Sequence, residues 1–185
     1  MKTIVRKYKT QASLKLACVF TFMSLILTAC VYDEEPSGGS LAIGDRLPFF
    51  TIEMSDGSLV TTPSLQGKVS LIMFFNTGCP DCREELPEVQ KVWEYFRENP
   101  DVVIVPIARE EEEKEIKSYW EESGLSMPFS PQPNRKVYSL FATTIIPRIY
   151  ISDPSTLIVF SSDDTDMPSA EKLISEILKI AKNVK

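Results

Sequence analysis

The sequence contains no histidine, and this absence removes several common kinds of functional site. Ser-His-Asp triads, Cys-His nucleophile pairs, c-type haem attachment and most zinc or copper sites all use an imidazole. A basic surplus is lacking as well, since 20 Lys and Arg stand against 26 Asp and Glu. Nucleic-acid-binding domains normally carry such a surplus, so we expect no nucleic acid partner. Phosphate loops and glycine fingerprints are also missing, and we predict no metal and no other cofactor.

Cysteine is scarce, with one residue each at positions 18, 30, 79 and 82. The length of 185 residues leaves room for one domain, and 43% hydrophobic with 25% charged residues is an ordinary globular mixture. One closely spaced pair, Cys79 and Cys82, is too few cysteines for disulfides to form a structural framework. The positions of the four cysteines are therefore more informative than their number.

The first 29 residues have the pattern of a secretory signal. They contain five basic and no acidic residues, and end in an apolar stretch of 14 residues, 16–29. That stretch is too short for a bilayer, which needs about 20 residues. Leu27-Thr28-Ala29-Cys30 resembles the bacterial lipobox, which implies cleavage before Cys30 and acylation of its sulfur. We predict a lipoprotein signal peptide over 1–29; an uncleaved amphipathic anchor, or a plain signal cut elsewhere, is the alternative.

Removal of residues 1–29 changes the formal charge from -6 to -11, because five basic groups and no acids leave. Residues 30–40 are polar and turn-rich, which predicts a flexible tether before a domain over 41–185. The acidic run 33–35 resembles surface-export signals of some Bacteroidetes lipoproteins, or is a solvated linker. The expected location is the bacterial cell envelope, lipid-anchored on the periplasmic or cell-surface side.

The globular part alternates between strand-like and helical patterns. Strands are predicted over 49–53, 59–62, 69–75, 102–108, 149–152 and 157–161, the first two forming a hairpin around Asp56-Gly57. Helices are predicted after the cysteine pair and over 110–123, 134–141 and 170–181. The order β-β-β-α-β-α-β-β-α favours an α/β fold with a mixed central sheet and helices on its faces.

The acidic run 110–113 is the strongest charge cluster of this domain. Glu110 and Lys114, like Glu113 and Lys117, are four residues apart, which is the usual pairing on an exposed helix face. We therefore interpret the run as a solvated first helical turn. Helical spacing also predicts that Trp93 and Trp120, with Ile116 and Tyr119, face the core.

Cys79-Pro80-Asp81-Cys82 lies between a buried strand and the helix that follows it. A two-residue gap on a helical turn brings the sulfurs close enough to form a disulfide. Unpaired N–H groups at a helix N-terminus stabilise a thiolate, which is the form that attacks a disulfide. We predict that Cys79 attacks and that Cys82, one turn inside the helix, resolves the mixed disulfide. Four-ligand zinc or iron–sulfur sites lack a second pair, and a structural disulfide here would close only a four-residue loop.

Four short motifs carry a family resemblance. In chain order they are Gln66-Gly67-Lys68, the segment 74–82, Glu85-Leu86-Pro87 and Ile146-Pro147-Arg148. Together they resemble the thioredoxin-like proteins of the TlpA/ResA type, which are membrane-tethered thiol–disulfide oxidoreductases. The resemblance covers about residues 41–183 and implies a thioredoxin-like fold with an N-terminal β-hairpin extension. Two positions depart from the pattern: Gly78 stands where the family usually has Trp, and Met73 where thioredoxins proper carry a buried Asp.

The resemblance also implies roles for residues outside the cysteine pair. Pro147 matches the family's cis proline, and Ile146 before it would offer backbone groups to an extended substrate. Glu85 matches the family's functional glutamate; at the edge of an apolar helix face it would assist proton transfer at Cys82. Alternatively, Glu85 is a first-turn acid that suits the helix dipole. Arg148 is interpreted as a flanking charge.

The predicted function is an extracytoplasmic thiol–disulfide oxidoreductase that reduces protein disulfides and takes electrons from an unidentified donor. The acidic surroundings of the dithiol favour a reductant, with a potential near about -270 mV rather than about -120 mV. Its partners would be protein thiols and disulfides, and the membrane through the Cys30 lipid, with the protein a monomer. A peroxiredoxin-like peroxidase is one alternative, although Asn76 stands where it would want Thr. A non-catalytic docking lipoprotein is the other.

Overall fold

The computed structural model describes residues 39–182. The predicted signal peptide, Cys18, Cys30 and most of the predicted tether lie outside them. The described elements are, in chain order, β1 (Thr51–Glu53), β2 (Leu59–Thr61), a 3-10 turn (Thr62–Leu65), β3 (Val69–Phe75), α1 (Pro80–Phe96), β4 (Val102–Ala108), α2 (Glu113–Ser123), α3 (Lys136–Ser139), β5 (Arg148–Ser152), β6 (Ile158–Ser162) and α4 (Ala170–Lys182). None of these helices is both long and apolar enough to cross a membrane.

The four-stranded sheet has the order β4-β3-β5-β6. β3 and β4 are parallel and joined through α1, whereas β5 runs antiparallel to both of its neighbours. All seven residues of β3 are buried, as expected for a continuous apolar run in the middle of a covered sheet. The predicted mixed α/β sheet is confirmed, and the dithiol follows its central strand.

Aromatic side chains pack on one face of the sheet near the end of β3. Phe74 lies opposite Arg148 of β5, so their side chains leave the sheet on the same side. The Phe74 ring meets Tyr138 at a centroid distance of 5.3 Å and Phe141 at 4.9 Å. This layer joins the carboxyl end of β3 to α3 and to the segment that leads into β5.

The predicted hairpin is confirmed as a separate two-stranded sheet, in which Ile52 pairs with Val60. Gly57 adopts a left-handed φ of 80°, which glycine tolerates without steric cost, and Asp56 accepts the Ser58 N–H at 2.9 Å. The Ser130 hydroxyl donates to the Glu53 carbonyl at 2.8 Å. This bond attaches the hairpin to the segment beside β4.

Helix α1 begins at Pro80, with Cys79 as its N-cap residue. Proline suits the first helical position, because its missing N–H would have no helical partner there. Pro87 lies inside the helix, where it cannot donate to the Arg83 carbonyl. Glu88 accepts the Ala170 N–H at 2.8 Å and so holds the start of α4 against α1.

Helix α2 starts later than the sequence predicts, at Glu113 instead of 110. Glu110 has a left-handed φ of 58°, which no helical turn accommodates. Its carboxylate lies 3.7 Å from the Arg135 guanidinium, so the predicted pairing with Lys114 is wrong. Glu113 does pair with Lys117, at 2.6 Å, as predicted. The acidic run therefore spans a bend and a helix start rather than one exposed helix face.

The predicted core positions are partly corrected. Ile116 and Trp120 are buried, but Tyr119 and Trp93 are only half-buried. Trp93 lies on a surface cleft near the end of α1, with the Arg97 guanidinium 5.8 Å from its ring centroid. The Tyr119 and Trp93 side chains both pack against the core, as their helical spacing predicts, but they stay partly exposed because spacing does not indicate how many layers cover a side chain.

Candidate active site

The two cysteines differ in their access to solvent. Cys79, at the N-cap of α1, is half-buried, whereas Cys82 in the first turn is completely buried. Both thiols are unbonded, and burial raises the pKa of the Cys82 thiol well above its ordinary value. A hydrogen bond from the Asn76 backbone and the charge of Arg109 act in the opposite direction without offsetting burial. Cys79 is therefore the more accessible of the two sulfurs, and its role as the attacking thiol stays a prediction.

The loop before Cys79 is organised around Asn76. Its carbonyl accepts the Cys79 N–H at 3.0 Å, and its side-chain oxygen accepts the Gly78 N–H at 2.8 Å. The Asn76 amide donates to the Arg109 carbonyl, at 3.1 Å, which ties the loop to the end of β4. A Cβ on Gly78 would lie 3.0 Å from the Asn76 side-chain oxygen. A glycine at position 78, where the family usually has Trp, therefore leaves room for the Asn76 side chain to accept the Gly78 N–H.

The segment opposite Cys79 is Ile146-Pro147, and its peptide bond is cis, as predicted from the family match. The Cys79 sulfur lies 3.6 Å from the Ile146 carbonyl oxygen, so the two parts of the predicted site are brought together. Ile145 has a φ of 65°, an unfavourable conformation for a β-branched residue. The Tyr138 hydroxyl donates to the Ile145 carbonyl at 2.8 Å and holds this segment in place.

Glu85 is more deeply buried than the sequence predicts. The sequence predicts it at the edge of the apolar helix face, yet only 2% of the residue is exposed and its Oε1 has no hydrogen-bond partner. Burial, with a smaller effect from the Glu88 charge, raises the pKa of Glu85 to about 7. Glu85 belongs to the same buried helix face as Cys82. Met73, where thioredoxins proper carry an acid, is completely buried in β3.

Arg148, interpreted from the sequence as a flanking charge, is largely buried. It is 9% exposed, and its Nη2 lies 3.7 Å from the Asp163 carboxylate. Its burial follows from its position, because it opens β5 directly opposite Phe74 in the middle of the sheet. The arrangement gives Arg148 a partner inside the domain and no contact with the sulfurs.

Glu111 is a site residue that the sequence analysis missed. It is 9% exposed, and its carboxylate accepts both the backbone N–H of Thr77, at 2.8 Å, and the Thr77 hydroxyl. The Arg83 guanidinium donates to the carbonyl of the same threonine. One signal could have found Glu111: it follows β4, and the carboxyl ends of adjacent parallel strands meet at one edge of a sheet.

An open cleft of about 370 Å³ adjoins the reactive loop on the side of α2. Thr77, Arg83 and Tyr119 form part of its wall, and the Arg83 guanidinium stacks 5.1 Å from the Tyr119 ring centroid. The remaining lining residues are Lys114, Glu115, Ser118 and Glu122. Among residues 39–182, no three His, Cys, Asp or Glu side chains are grouped so that they could hold a metal ion.

Residues 43–161 match the AhpC/TSA family, which is more than half of the chain. The thiol–disulfide oxidoreductase ResA of Oceanobacillus iheyensis is 23% identical over 154 residues, covering 81% of this chain and 80% of that protein. ResA of Halalkalibacterium halodurans is 22% identical over 166 residues, covering 89% and 92%.

Solved structures also resemble this fold. A Bacteroides thetaiotaomicron protein, provisionally named a protein disulfide isomerase, superposes with a TM-score of 0.72 at 28% identity, over 78% of this chain and 93% of that chain. A thiol:disulfide interchange protein of the thioredoxin family from Chlorobium tepidum superposes with a TM-score of 0.64 at 23% identity, over 76% and 99%. The chain therefore belongs to the AhpC/TSA family and is a thioredoxin-like thiol–disulfide oxidoreductase.

Proposed function

We propose that this protein reduces disulfides in protein substrates outside the cytoplasm, using Cys79 and Cys82 as its dithiol. One observation carries the proposal: a half-buried Cys79 at the start of α1 faces the Ile146 carbonyl at 3.6 Å, while Cys82 is fully buried behind it. This arrangement offers one sulfur to a substrate and keeps the second for the next step. A dithiol with one accessible and one hidden sulfur suits exchange with partners too large to enter a pocket.

The reaction consists of two exchanges. The Cys79 thiolate attacks one sulfur of the substrate disulfide, forming a mixed disulfide and releasing the other sulfur as a thiolate that takes up a proton. Cys82 then loses its proton and attacks the Cys79 sulfur, which breaks the mixed disulfide and releases the second substrate sulfur. The substrate gains two electrons and two protons, and Cys79 and Cys82 end as a disulfide. A thiol donor outside the protein must reduce that disulfide again.

Glu85 is the proposed proton acceptor for Cys82. Because burial raises the pKa of the Cys82 thiol, its proton needs a base inside the domain before the second exchange. A carboxyl group with a pKa of about 7 is present in both protonation states near neutral pH, as proton transfer requires. Its unpartnered Oε1 leaves a lone pair available for that proton.

Ile146 and Pro147 are the proposed substrate-binding residues. The Ile146 carbonyl already lies beside Cys79, and a backbone group at that place can pair with an extended substrate chain. The cleft lined by Thr77 and Arg83 adjoins the reactive loop and is the proposed site for the rest of such a chain. Recognition through backbone groups suits a protein that accepts several disulfides.

The direction of exchange follows from charge. Asp81 and Glu84 are exposed next to the cysteines, so the surroundings of the dithiol are acidic. Dithiols whose reduced form is stabilised are strong oxidants, so acidic surroundings favour a reductant with a potential near about -270 mV.

We further propose that residues 1–29 are a signal peptide, that Cys30 carries a lipid, and that 30–40 tether the domain to the cell envelope.

Assays of the purified mature chain distinguish three functions. We expect it to catalyse insulin reduction by dithiothreitol, and to lose that activity when Cys79 is replaced by Ala. Peroxide consumption without insulin reduction would favour a peroxidase. The contacts argue against it, because Thr77, the hydroxyl residue closest before Cys79, already donates its proton to Glu111. Absence of both activities would leave a docking protein and would contradict the proposal.

A further inference from the structure

Glu111 touches the reactive loop at Thr77, two residues before Cys79. Its two carboxylate oxygens accept from the Thr77 backbone N–H and from the Thr77 hydroxyl. On the other side of the same residue, Arg83 donates to the Thr77 carbonyl. Thr77 is 6% exposed, so water cannot readily replace these partners. Every polar group of Thr77 is thus held by a charged side chain.

The position of Glu111 is itself fixed by backbone bonds. Its N–H donates to the Gln132 carbonyl at 2.9 Å, in an antiparallel bridge beside β4. Ser130, two residues earlier, is bonded to β4 through Pro106 and Ala108. The carboxylate is therefore mounted on the sheet edge, which is a rigid support, and not on the first turn of α2.

Asn76 and Glu111 accept hydrogen bonds from different residues of the reactive loop. Asn76 binds the N–H groups of Gly78 and Cys79, but it makes no such bond to Thr77, which depends on Glu111. Without the carboxylate, the buried Thr77 N–H would lose its acceptor and the peptide would turn to find another. Such a turn would move the neighbouring Gly78 and Cys79, because they are continuous with it.

We propose that Glu111 is a positioning residue for the thiol–disulfide reaction: by holding Thr77 it keeps the Cys79 sulfur in front of the Ile146 carbonyl and close to Cys82. This inference rests on the proposed function for its effect on turnover, but not for its effect on the dithiol. Closing the disulfide needs Cys79 near Cys82, and a fixed loop raises the effective concentration of one sulfur at the other. Loosening the loop therefore weakens the disulfide and slows exchange.

The test compares Glu111→Ala and Glu111→Gln with a matched control, Glu112→Ala, which removes an exposed glutamate one residue away. Each variant of the mature chain is equilibrated with glutathione and assayed for insulin reduction. For Glu111→Ala we expect an equilibrium constant for disulfide formation three- to tenfold lower, and insulin reduction about tenfold slower. A tenfold change corresponds to about 30 mV for a two-electron couple.

The conservative variant separates positioning from charge. In Glu111→Gln the amide oxygen still accepts the Thr77 N–H, and its amino group donates to the Thr77 hydroxyl oxygen. We therefore expect both quantities within about twofold of the original protein, as for Glu112→Ala. If Glu111→Gln is as impaired as Glu111→Ala, the charge acts and not the position, and the inference is wrong.

Other outcomes are equally decisive. Wild-type values for Glu111→Ala would overturn the inference, even if that variant melted at a lower temperature. If Glu111→Ala does not fold, Thr77→Val decides: it removes only the hydroxyl contact, and we expect a two- to threefold lower equilibrium constant, whereas an unchanged one overturns the inference. If the wild type fails to reduce insulin, the proposed function fails, but the glutathione equilibrium still decides the role of Glu111.

Discussion

Two buried glutamates lie next to the dithiol, and their surroundings are opposite. Glu85, in α1 one turn after Cys82, has an unpartnered Oε1 among apolar side chains. Glu111, after β4, has both carboxylate oxygens engaged by Thr77. A buried carboxylate without partners favours its neutral form, and so can exchange a proton near pH 7. A carboxylate that accepts two hydrogen bonds is suited instead to holding a backbone in place.

The comparison teaches that burial alone does not define a catalytic acid. Both residues are less than a tenth exposed, so their exposed fractions alone would not distinguish a proton acceptor from a residue that holds a loop. The difference lies in the donors that the surrounding elements supply: a helix face supplies none, because its backbone N–H groups are used internally, whereas a loop end offers a backbone N–H. The four predictions below test this contrast, from the largest effect to the smallest.

The first prediction concerns the difference in burial between the two cysteines. At neutral pH, iodoacetamide should modify Cys79 at least about a hundredfold faster than Cys82, because Cys82 is completely buried and burial raises the pKa of its thiol. Mass spectrometry of the alkylated peptides over time measures both rates. Equal rates, or a faster Cys82, would show that the assignment of the attacking sulfur is wrong.

The second prediction concerns the effect of Glu85 on the free energy of unfolding. Because its pKa is about 7 in the folded chain and about 4.5 when unfolded, the folded state binds more protons between these values. The free energy of unfolding should therefore fall as pH rises from 4.5 through 7, by about 3 kcal/mol in total. Glu85→Gln should remove this fall, making the variant more stable than the wild type at pH 8.

Urea unfolding at pH 5 and pH 8 measures this difference, with Glu84→Gln as the control, since Glu84 is the exposed neighbour. The same variants test catalysis. The rate of insulin reduction by the wild type should rise with pH through about 7, and Glu85→Gln should lose that rise and be at least about tenfold slower at pH 8. An unchanged pH profile would leave Glu85 as a buried acid without a role in proton transfer.

The third prediction concerns the Thr77 hydroxyl, the partner that distinguishes Glu111 from Glu85. Thr77→Val should lower the free energy of unfolding by about 2 kcal/mol, because a buried carboxylate oxygen loses a charge-assisted hydrogen bond. Thr165→Val is the matched control: its hydroxyl donates to the Asp163 carboxylate in an exposed turn, and its loss should cost less than about 0.5 kcal/mol. Equal costs would mean that the Glu111 contact is no stronger than a surface one.

The smallest effect is expected at Glu113, two residues after Glu111. Its 2.6 Å pair with Lys117 joins side chains that are about half exposed. Glu113→Gln should therefore change the free energy of unfolding by less than about 0.5 kcal/mol, as is usual for surface helix pairs. A cost comparable with that of Thr77→Val, measured by the same urea titration, would contradict the contrast between the buried and the solvated members of the acidic run.

Much of the fold could be predicted from the sequence because its signals are local. The strands over 69–75 and 102–108 are found with the predicted bounds, since their continuous apolar runs leave no alternative. Family motifs predicted the cis bond before Pro147, which the X–Pro base rate alone would not support. Helix α1 begins at Pro80, within the cysteine motif, because proline suits the first position of a helix.

Glu111 could not be found in the same way, because its burial depends on a distant part of the chain. The run 110–113 has helical charge spacing, and only the Gln132 bridge draws Glu111 out of the helix and onto the sheet edge. Glu85 was placed at the right position but at too shallow a depth, since the spacing along a helix does not reveal how many layers cover it. The local sequence pattern predicts which way a side chain points, whereas its burial depends on contacts with distant parts of the chain.

The central claim, that Cys79 attacks substrate disulfides and Cys82 resolves them, is tested most directly by trapping the intermediate. In Cys82→Ala the second exchange cannot occur, so incubation of the reduced variant with insulin should accumulate a mixed disulfide. Digestion and mass spectrometry should find the insulin peptide joined to Cys79, with no such species from Cys79→Ala. A mixed disulfide that accumulates instead on Cys82 in the Cys79→Ala variant would contradict the account.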